Sequence, residues 1–168
     1  MSPEFEEIRR EINRVTRDFT ADDWLRAPRG KWNSAQILEH LLLTYKGTTK
    51  SLLKAMEAGR PLGSAPTLRE KAATFVVTGL GILPTGGIAP KQATPTIGSA
   101  PGSLRPFNDA LVAMDASLMD AEKRFGAKVK LLDHPFMGPL NAQQWRRFHR
   151  IHAMHHLKQI SQRSKSGN

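Results

Sequence analysis

The sequence predicts an all-α fold, an antiparallel four-helix bundle with short accessory helices and one long loop rich in glycine and proline. Apolar residues recur at helical spacing in four long segments, capping pairs precede several segments, and strand patterns are nearly absent. With 168 residues, of which 39% are hydrophobic, the chain suits a single domain over residues 1–168.

The first long helix is predicted over residues 3–19, where apolar side chains three and four positions apart form one face. Pro3 suits its first turn, because the backbone N–H that proline lacks has no helical partner there. Thr20 and Asp23 have the spacing of a capping pair, which predicts a short accessory helix that starts at Thr20.

The second long helix is predicted from Asn33 to about Ala58, since Asn33 and Gln36 have the spacing of a capping box. Gly59 ends the predicted helix, because glycine readily adopts the backbone conformation that follows a helix. A further helix is predicted over residues 67–79.

The segment from residue 80 to residue 106 holds five glycines and five prolines in 27 residues and shows no sustained periodicity. This composition predicts an ordered loop or lid. The third long helix is predicted from Phe107 to about Phe125 and is followed by Gly126.

The fourth long helix is predicted from Asn141 to about Gln162, with Gln144 as the capping partner of Asn141. Residues 164–168 are expected to form a disordered tail. At about 100° per residue, one face of this helix about 120° wide carries Trp145, Phe148, His149, His152, His156, Gln159 and Ile160.

The composition excludes several classes of site. Cysteine is absent, which removes disulfides, zinc-thiolate sites, iron–sulfur clusters and a cysteine nucleophile. The acidic N-terminal residues Glu4, Glu6 and Glu7 do not resemble a signal peptide, and no apolar stretch is long enough to span a bilayer. We therefore expect a cytoplasmic protein without a membrane partner.

The net charge of +10 comes from 25 Lys and Arg against 15 Asp and Glu, and clustered cations would favour nucleic-acid binding. The cations are instead spread over helices that also carry acids, and no zinc finger, aromatic RNA-binding motif or basic leucine zipper organises them. The sequence therefore predicts a solvated basic surface and no nucleic-acid partner.

Four histidines lie within eight residues of the last helix, and two of them, His152 and His156, are four positions apart. This spacing places two imidazoles on successive turns, where both can bind one ion at about 2.1 Å. His149 with His152 is an alternative pair three positions apart. No glutamate lies between His152 and His156, so the segment is not the metalloprotease motif in which an intervening glutamate serves as base.

A third ligand has to come from another helix, and His40 is the best candidate. It lies among Ile37, Leu41 and Thr44 on the inward side of the second long helix, where a lone histidine needs a partner for its ring nitrogens. From the residues alone a second interpretation stays open, since a helix face rich in histidine is also typical of a pH-sensitive or solvated surface.

Two segments near opposite ends of the chain, residues 31–41 (KWNSAQILEHL) and residues 152–160 (HAMHHLKQI), together resemble the DinB-like superfamily of metal-binding four-helix bundles. The chain is particularly similar to a subgroup of uncharacterised bacterial proteins that have the segment HPFMGPL, here residues 134–140, before the final helix. Many relatives have an arginine-glycine pair where this chain has Leu157 and Lys158, which puts any ligand-binding role of that arginine in doubt.

The resemblance implies that His40, His152 and His156 hold a divalent cation such as zinc or nickel, and it implies a homodimer. It also implies a thiol-dependent transferase or isomerase activity, with the thiol supplied as a cosubstrate because the chain has no cysteine.

Three histidine ligands would leave coordination positions open, as in catalytic metal sites. A water or a small thiol at such a position is activated as a nucleophile near neutral pH. His155, His149 and His134 are candidate proton shuttles. The loop glycines lack the Lys-Ser/Thr ending of a phosphate loop, so we expect no cofactor other than the metal.

Two classes of function follow from this site. The first is a metal-dependent enzyme, a hydrolase or a thiol S-transferase that acts on a small molecule, with a low-molecular-weight thiol as cosubstrate in the second case. The alternative is a non-catalytic metal-binding or stress-related dimerisation module. The sequence favours the enzyme.

Overall fold

The computed structural model describes residues 1–83, 89–96 and 103–165. The chain is mainly helical, as predicted. Its described α-helices are α1 (Pro3–Thr16), α2 (Ala21–Leu25), α3 (Ser34–Glu57), α4 (Leu68–Thr74), α5 (Arg105–Phe125) and α6 (Ala142–Lys165). A π-helical turn (Phe75–Gly79) continues α4, a 3-10 turn spans Lys91–Ala93, and two short strands are β1 (Leu132–His134) and β2 (Gly138–Leu140).

Side-chain hydrogen bonds confirm the predicted capping pairs. The Oδ1 atom of Asn33 accepts from the backbone N–H of Gln36 at 2.8 Å, and the Oε1 atom of Gln36 accepts from the N–H of Asn33 at 3.0 Å. Asn141 and Gln144 form the same reciprocal pair at the start of α6. These caps fix where α3 and α6 begin, and hence which residues of each helix face the core.

The helix ends differ from the predictions by a few residues. The helix α1 ends at Thr16, three residues before the predicted end, and α5 begins at Arg105, two residues before the predicted start. Pro106 lies in the first turn of α5, where a missing N–H costs no helical hydrogen bond, so the proline is part of the helix and does not precede it.

The long helices α1, α3, α5 and α6 pack on one another, α3 chiefly against α5 and α1 chiefly against α6. Their apolar faces share one buried core, which includes Ile8, Leu41, Leu111, Leu118, Ala153 and Ile160. The helices α3 and α6 also contact each other directly. This contact is important because the predicted metal ligands lie on these two helices.

The two strands correct the prediction of a purely α-helical fold. They pair antiparallel, with Leu132 opposite Leu140 and His134 opposite Gly138. Each strand has only three residues, and β2 contains a proline, so neither shows the alternating apolar pattern by which a strand is recognised. Gly138 has a φ of +69°, and a Cβ atom there would collide with the Glu70 side chain.

The predicted loop and tail are described in part. Residues 84–88 and 97–102 of the loop, and residues 166–168 of the tail, lie outside the described residues. The described residues 89–96 include the 3-10 turn, which packs against α3. The helix α6 reaches Lys165 and so includes the first two residues of the predicted tail. Among the described residues, every helix is too short or too polar to span a membrane.

A buried ionic cluster joins α1, α5 and α6. Its arginine, Arg146, is buried and so does not belong to the solvated basic surface that the sequence predicts. Asp115 is 2% exposed and Arg146 is 6% exposed. The Arg146 Nη1 atom donates to Glu122 Oε2 at 2.7 Å, and its Nε atom lies 3.6 Å from Asp115 Oδ1. The backbone N–H of Ser2 donates to Asp115 Oδ2 at 2.7 Å. The cluster therefore holds the start of α1 against α5 and α6.

We expect Asp115→Ala to lower the free energy of unfolding by about 3 kcal/mol, because it leaves the Arg146 charge buried with less compensation. Urea unfolding checks this value, and Asp109→Ala on the same helix is the matched control. Asp109 is exposed and lies 3.8 Å from Arg105, so its removal should cost about 0.5 kcal/mol or less. Equal losses in the two variants would contradict a structural role of the cluster.

Candidate metal centre

His40 of α3 converges with His152 and His156 of α6. The Nε2 atoms of His40 and His152 are 3.2 Å apart, and those of His152 and His156 are 3.1 Å apart. Two nitrogens that bind one tetrahedral ion at about 2.1 Å lie about 3.4 Å from each other. The three histidines are therefore close enough to hold one metal ion.

Hydrogen bonds orient two of the three rings. The Nδ1–H of His40 donates to the backbone carbonyl of Ala93 at 2.7 Å, and the Nδ1–H of His156 donates to Gln159 Oε1 at 3.0 Å. Both acceptors are carbonyl oxygens, so the proton of each neutral ring is on Nδ1 and the lone pair is on Nε2. These are the tautomers that a metal bound at Nε2 requires.

Burial keeps the three rings neutral. It lowers the pKa of His40, and the hydrogen bond to the Ala93 carbonyl opposes this shift in part. Burial, together with the charges that His156 and His40 would carry, places the pKa of His152 well below its usual value. Burial and then the charge of His40 lower the pKa of His156 to about 4. At neutral pH none of the three rings carries the second proton that would compete with a metal.

Aromatic side chains form walls around the histidines. The Phe148 ring stacks on His152 with 5.4 Å between centroids and 9° between planes, and Trp32 packs against His40 at 5.2 Å. These contacts restrict the rotation of two candidate ligands and shield their rings from water.

The three predicted proton shuttles lie in different environments. His149 is fully buried beside the Tyr45 ring, and its Nε2 atom hydrogen-bonds the Thr48 hydroxyl at 3.2 Å. His134 accepts the N–H groups of residues 136 and 137 at its Nδ1 atom, so it stabilises the turn between β1 and β2. His155 lies beside His156, with 5.2 Å between ring centroids, and its Nε2 atom accepts a hydrogen bond from Gln159 Nε2 at 3.0 Å.

Sequence reasoning missed the Ala93 carbonyl, which a distant loop supplies to His40 across 53 residues of chain. A backbone carbonyl leaves no mark in a sequence, so no pattern could have identified this acceptor. A second contact that the sequence analysis did not predict is that of Gln159 with His156 and His155. Its position three residues after His156 was the available indication of this contact.

Two surface grooves are distinct from this centre. One, of about 790 Å³, is lined by residues of α3 and α5, and the other, of about 620 Å³, by residues of α1, α6 and the π-helical turn. Neither groove includes any of the three candidate ligands. We therefore base the functional assignment on the histidines and not on cavity size.

A family model described as "Protein of unknown function (DUF1569)" matches residues 3–163. The chain belongs to the DUF1569 family. No curated protein and no solved structure matches this DUF1569 member. The DinB-like assignment is wrong, because the matching family is a different named one and nothing links it to the DinB-like proteins. The segments that carried the resemblance, residues 31–41, 134–140 and 152–160, are too short to identify a superfamily.

Without the DinB-like resemblance, three expectations have no further support. The homodimer, the thiol cosubstrate and the choice of zinc or nickel remain predictions. The proximity of the three histidines does not depend on the resemblance, because it is a property of the structure.

We expect the free energy of unfolding to fall with pH below about 6.5. Burial lowers the pKa of His149 to about 3 in the folded chain, from an ordinary value of 6.5. The unfolded chain therefore binds a proton that the folded chain does not, and the stability present above pH 6.5 is lost progressively as the pH falls toward 3. At pH 5, His149 alone should account for a loss of about 2 kcal/mol.

Urea unfolding at pH 7.5 and pH 5.0, with a chelator present so that no metal contributes, measures this loss. His149→Gln should reduce the pH dependence, whereas His155→Gln, at a partly exposed position, serves as the control. A pH dependence that is the same in wild type and His149→Gln would show that His149 does not cause it.

Proposed function

We propose that this DUF1569 member is a metal-dependent enzyme that acts on a small molecule through a divalent ion held by His40, His152 and His156. The observation that carries the proposal is the convergence of three Nε2 atoms, two of them in the ligand tautomer. The packing of the four long helices supports the predicted antiparallel four-helix bundle as the scaffold of this site.

Three protein ligands leave at least one coordination position for water or substrate, which is the arrangement of catalytic sites. When bound, a divalent ion supplies Lewis-acid chemistry and lowers the pKa of a water or thiol toward neutrality. The chain itself orients the ligand rings through Ala93 and Gln159 and keeps them neutral by burial. These properties suit a hydrolase or a thiol S-transferase, and among the ions that imidazole binds we propose zinc or nickel.

One observation favours a second candidate, a non-catalytic module. The Nε2 atom of His152 lies near those of both His40 and His156, so a proton on it could bridge them as a hydrogen bond without any metal. The Nδ1 atom of His152 is buried without a hydrogen-bond partner among the described residues. Binding a metal at Nε2 would make that Nδ1 atom an unsatisfied donor, which costs stability.

Elemental analysis of untagged protein separates these candidates. After incubation with zinc or nickel and gel filtration, wild type should retain about one ion per chain, whereas His40→Ala and His152→Ala should retain little. His155→Ala is the matched control, because it removes a histidine of the same cluster that is not a proposed ligand. A stoichiometric ion in both ligand variants would contradict the triad, and a wild type that binds none would favour the hydrogen-bonded module.

Turnover tests the catalytic part of the proposal. We expect metal-loaded protein to hydrolyse p-nitrophenyl esters, or to join a small thiol to an electrophile such as 1-chloro-2,4-dinitrobenzene, and His152→Ala to react no faster than chelated wild type. Circular dichroism confirms that the variant is folded. A closed structural site would instead bind the ion without any turnover. Relaxation measurements on cobalt-loaded protein would then detect no exchangeable water on the ion.

A further inference from the structure

Arg163 continues the face of α6 that carries His152, His156 and Gln159. At about 100° per residue, it lies about 20° from both histidines around the helix axis. Side chains of a helix lean toward its N-terminus, so that of Arg163 points back toward Gln159 and His156. The charge of Arg163 also contributes to the lowered pKa of His156, less than burial and the charges of His40 and His155.

Among the described residues, no acidic side chain forms a salt bridge with Arg163, unlike with Arg146 and Arg150. Its Nε atom is buried and makes no hydrogen bond within the described part of the chain. By contrast, Arg146 pairs with Glu122, and Arg150 donates two hydrogen bonds to Glu7. A partly desolvated guanidinium without a counter-charge costs free energy, and it stays charged because its ordinary pKa is far above neutrality. The described residues therefore leave the charge of Arg163 available to an anionic ligand.

The charge of the neighbouring centre points to the same kind of ligand. Its proposed ligands are three neutral imidazoles, and among the described residues no carboxylate belongs to this group of ligands. A divalent ion there would keep its double positive charge. The planar fork of an arginine binds a carboxylate or a phosphate through two parallel hydrogen bonds. An anion beside the histidines would therefore balance both the metal and Arg163.

We propose that Arg163 binds the anionic group, a carboxylate or a phosphate, of the small-molecule substrate. This inference rests on the proposed function, since it names the substrate class of the same site. It makes Arg163 a substrate-binding residue of α6 and makes uncharged molecules of the same shape poor ligands.

Cobalt-loaded protein offers a direct test, because the visible spectrum of the ion reports ligands that reach it. Wild type is titrated with benzoate, phenyl phosphate and the uncharged benzamide. We expect at least one of the two anions to bind to wild type, and we expect its affinity for Arg163→Gln to be at least about tenfold lower. Benzamide should bind poorly to both proteins. The preferred anion identifies the substrate group as carboxylate or phosphate.

Arg147→Gln is the matched control, because it removes the same charge from an exposed position of α6. It should bind the anions like wild type, and both variants should retain cobalt. Equal anion affinity in Arg163→Gln and Arg147→Gln, or benzamide binding as tightly as benzoate, overturns the proposal. Arg163→Lys keeps the charge without the planar fork, so its affinity for the anion should lie between those of Arg163→Gln and Arg147→Gln. It replaces Arg163→Gln if that variant does not fold.

The proposed function and this inference can fail separately. If no cobalt binds, the metal proposal fails, and calorimetry of the metal-free chain with phenyl phosphate and benzoate tests Arg163 alone. Heat of binding that Arg163→Gln loses and Arg147→Gln keeps supports the anion site. Absence of heat, or equal heat in the two variants, overturns it.

Discussion

The contact between α3 and α6 is the constraint on which the candidate centre depends, because His40 comes from one helix and His152 and His156 from the other. Capping residues set where each helix begins, and buried apolar neighbours such as Leu41 and Ala153 set which face turns inward. One residue of slippage in α6 would rotate its histidines by about 100° and separate the three nitrogens.

Shielding three imidazoles from water, one of them buried and two half-buried, has a cost that the structure offsets unevenly. His40 and His156 each donate Nδ1–H to a carbonyl oxygen, from Ala93 and Gln159, whereas the Nδ1 atom of His152 has no such partner among the described residues. The Ala93 contact also ties a glycine- and proline-rich loop to the centre, so the orientation of His40 depends on the fold of a distant segment. Local helix geometry alone would not provide this coupling.

Much of the fold could be predicted from the sequence because the signals for a helix, its periodicity and its capping pairs, come from residues that are close in the chain. The predicted helices are present. The spacing of His152 and His156 is local in the same sense. Contacts between distant segments were not accessible, among them the Ala93 carbonyl and the ion cluster around Asp115 and Arg146. The family assignment was wrong because it relied on short contiguous segments, whereas the DUF1569 match covers residues 3–163.

Position along α6, more than residue type, separates the roles of its histidines. His149 lies in the core against Tyr45, where burial lowers its pKa to about 3 and its ring packs like an aromatic side chain. One turn further on, the same face of α6 leaves the core and meets α3. There His152 and His156 contact His40 as well as apolar side chains. Beyond them the same face continues to Arg163, whose buried Nε atom makes no hydrogen bond among the described residues. The helix therefore passes from packing, through potential ligands, to a potential anion site along one continuous face.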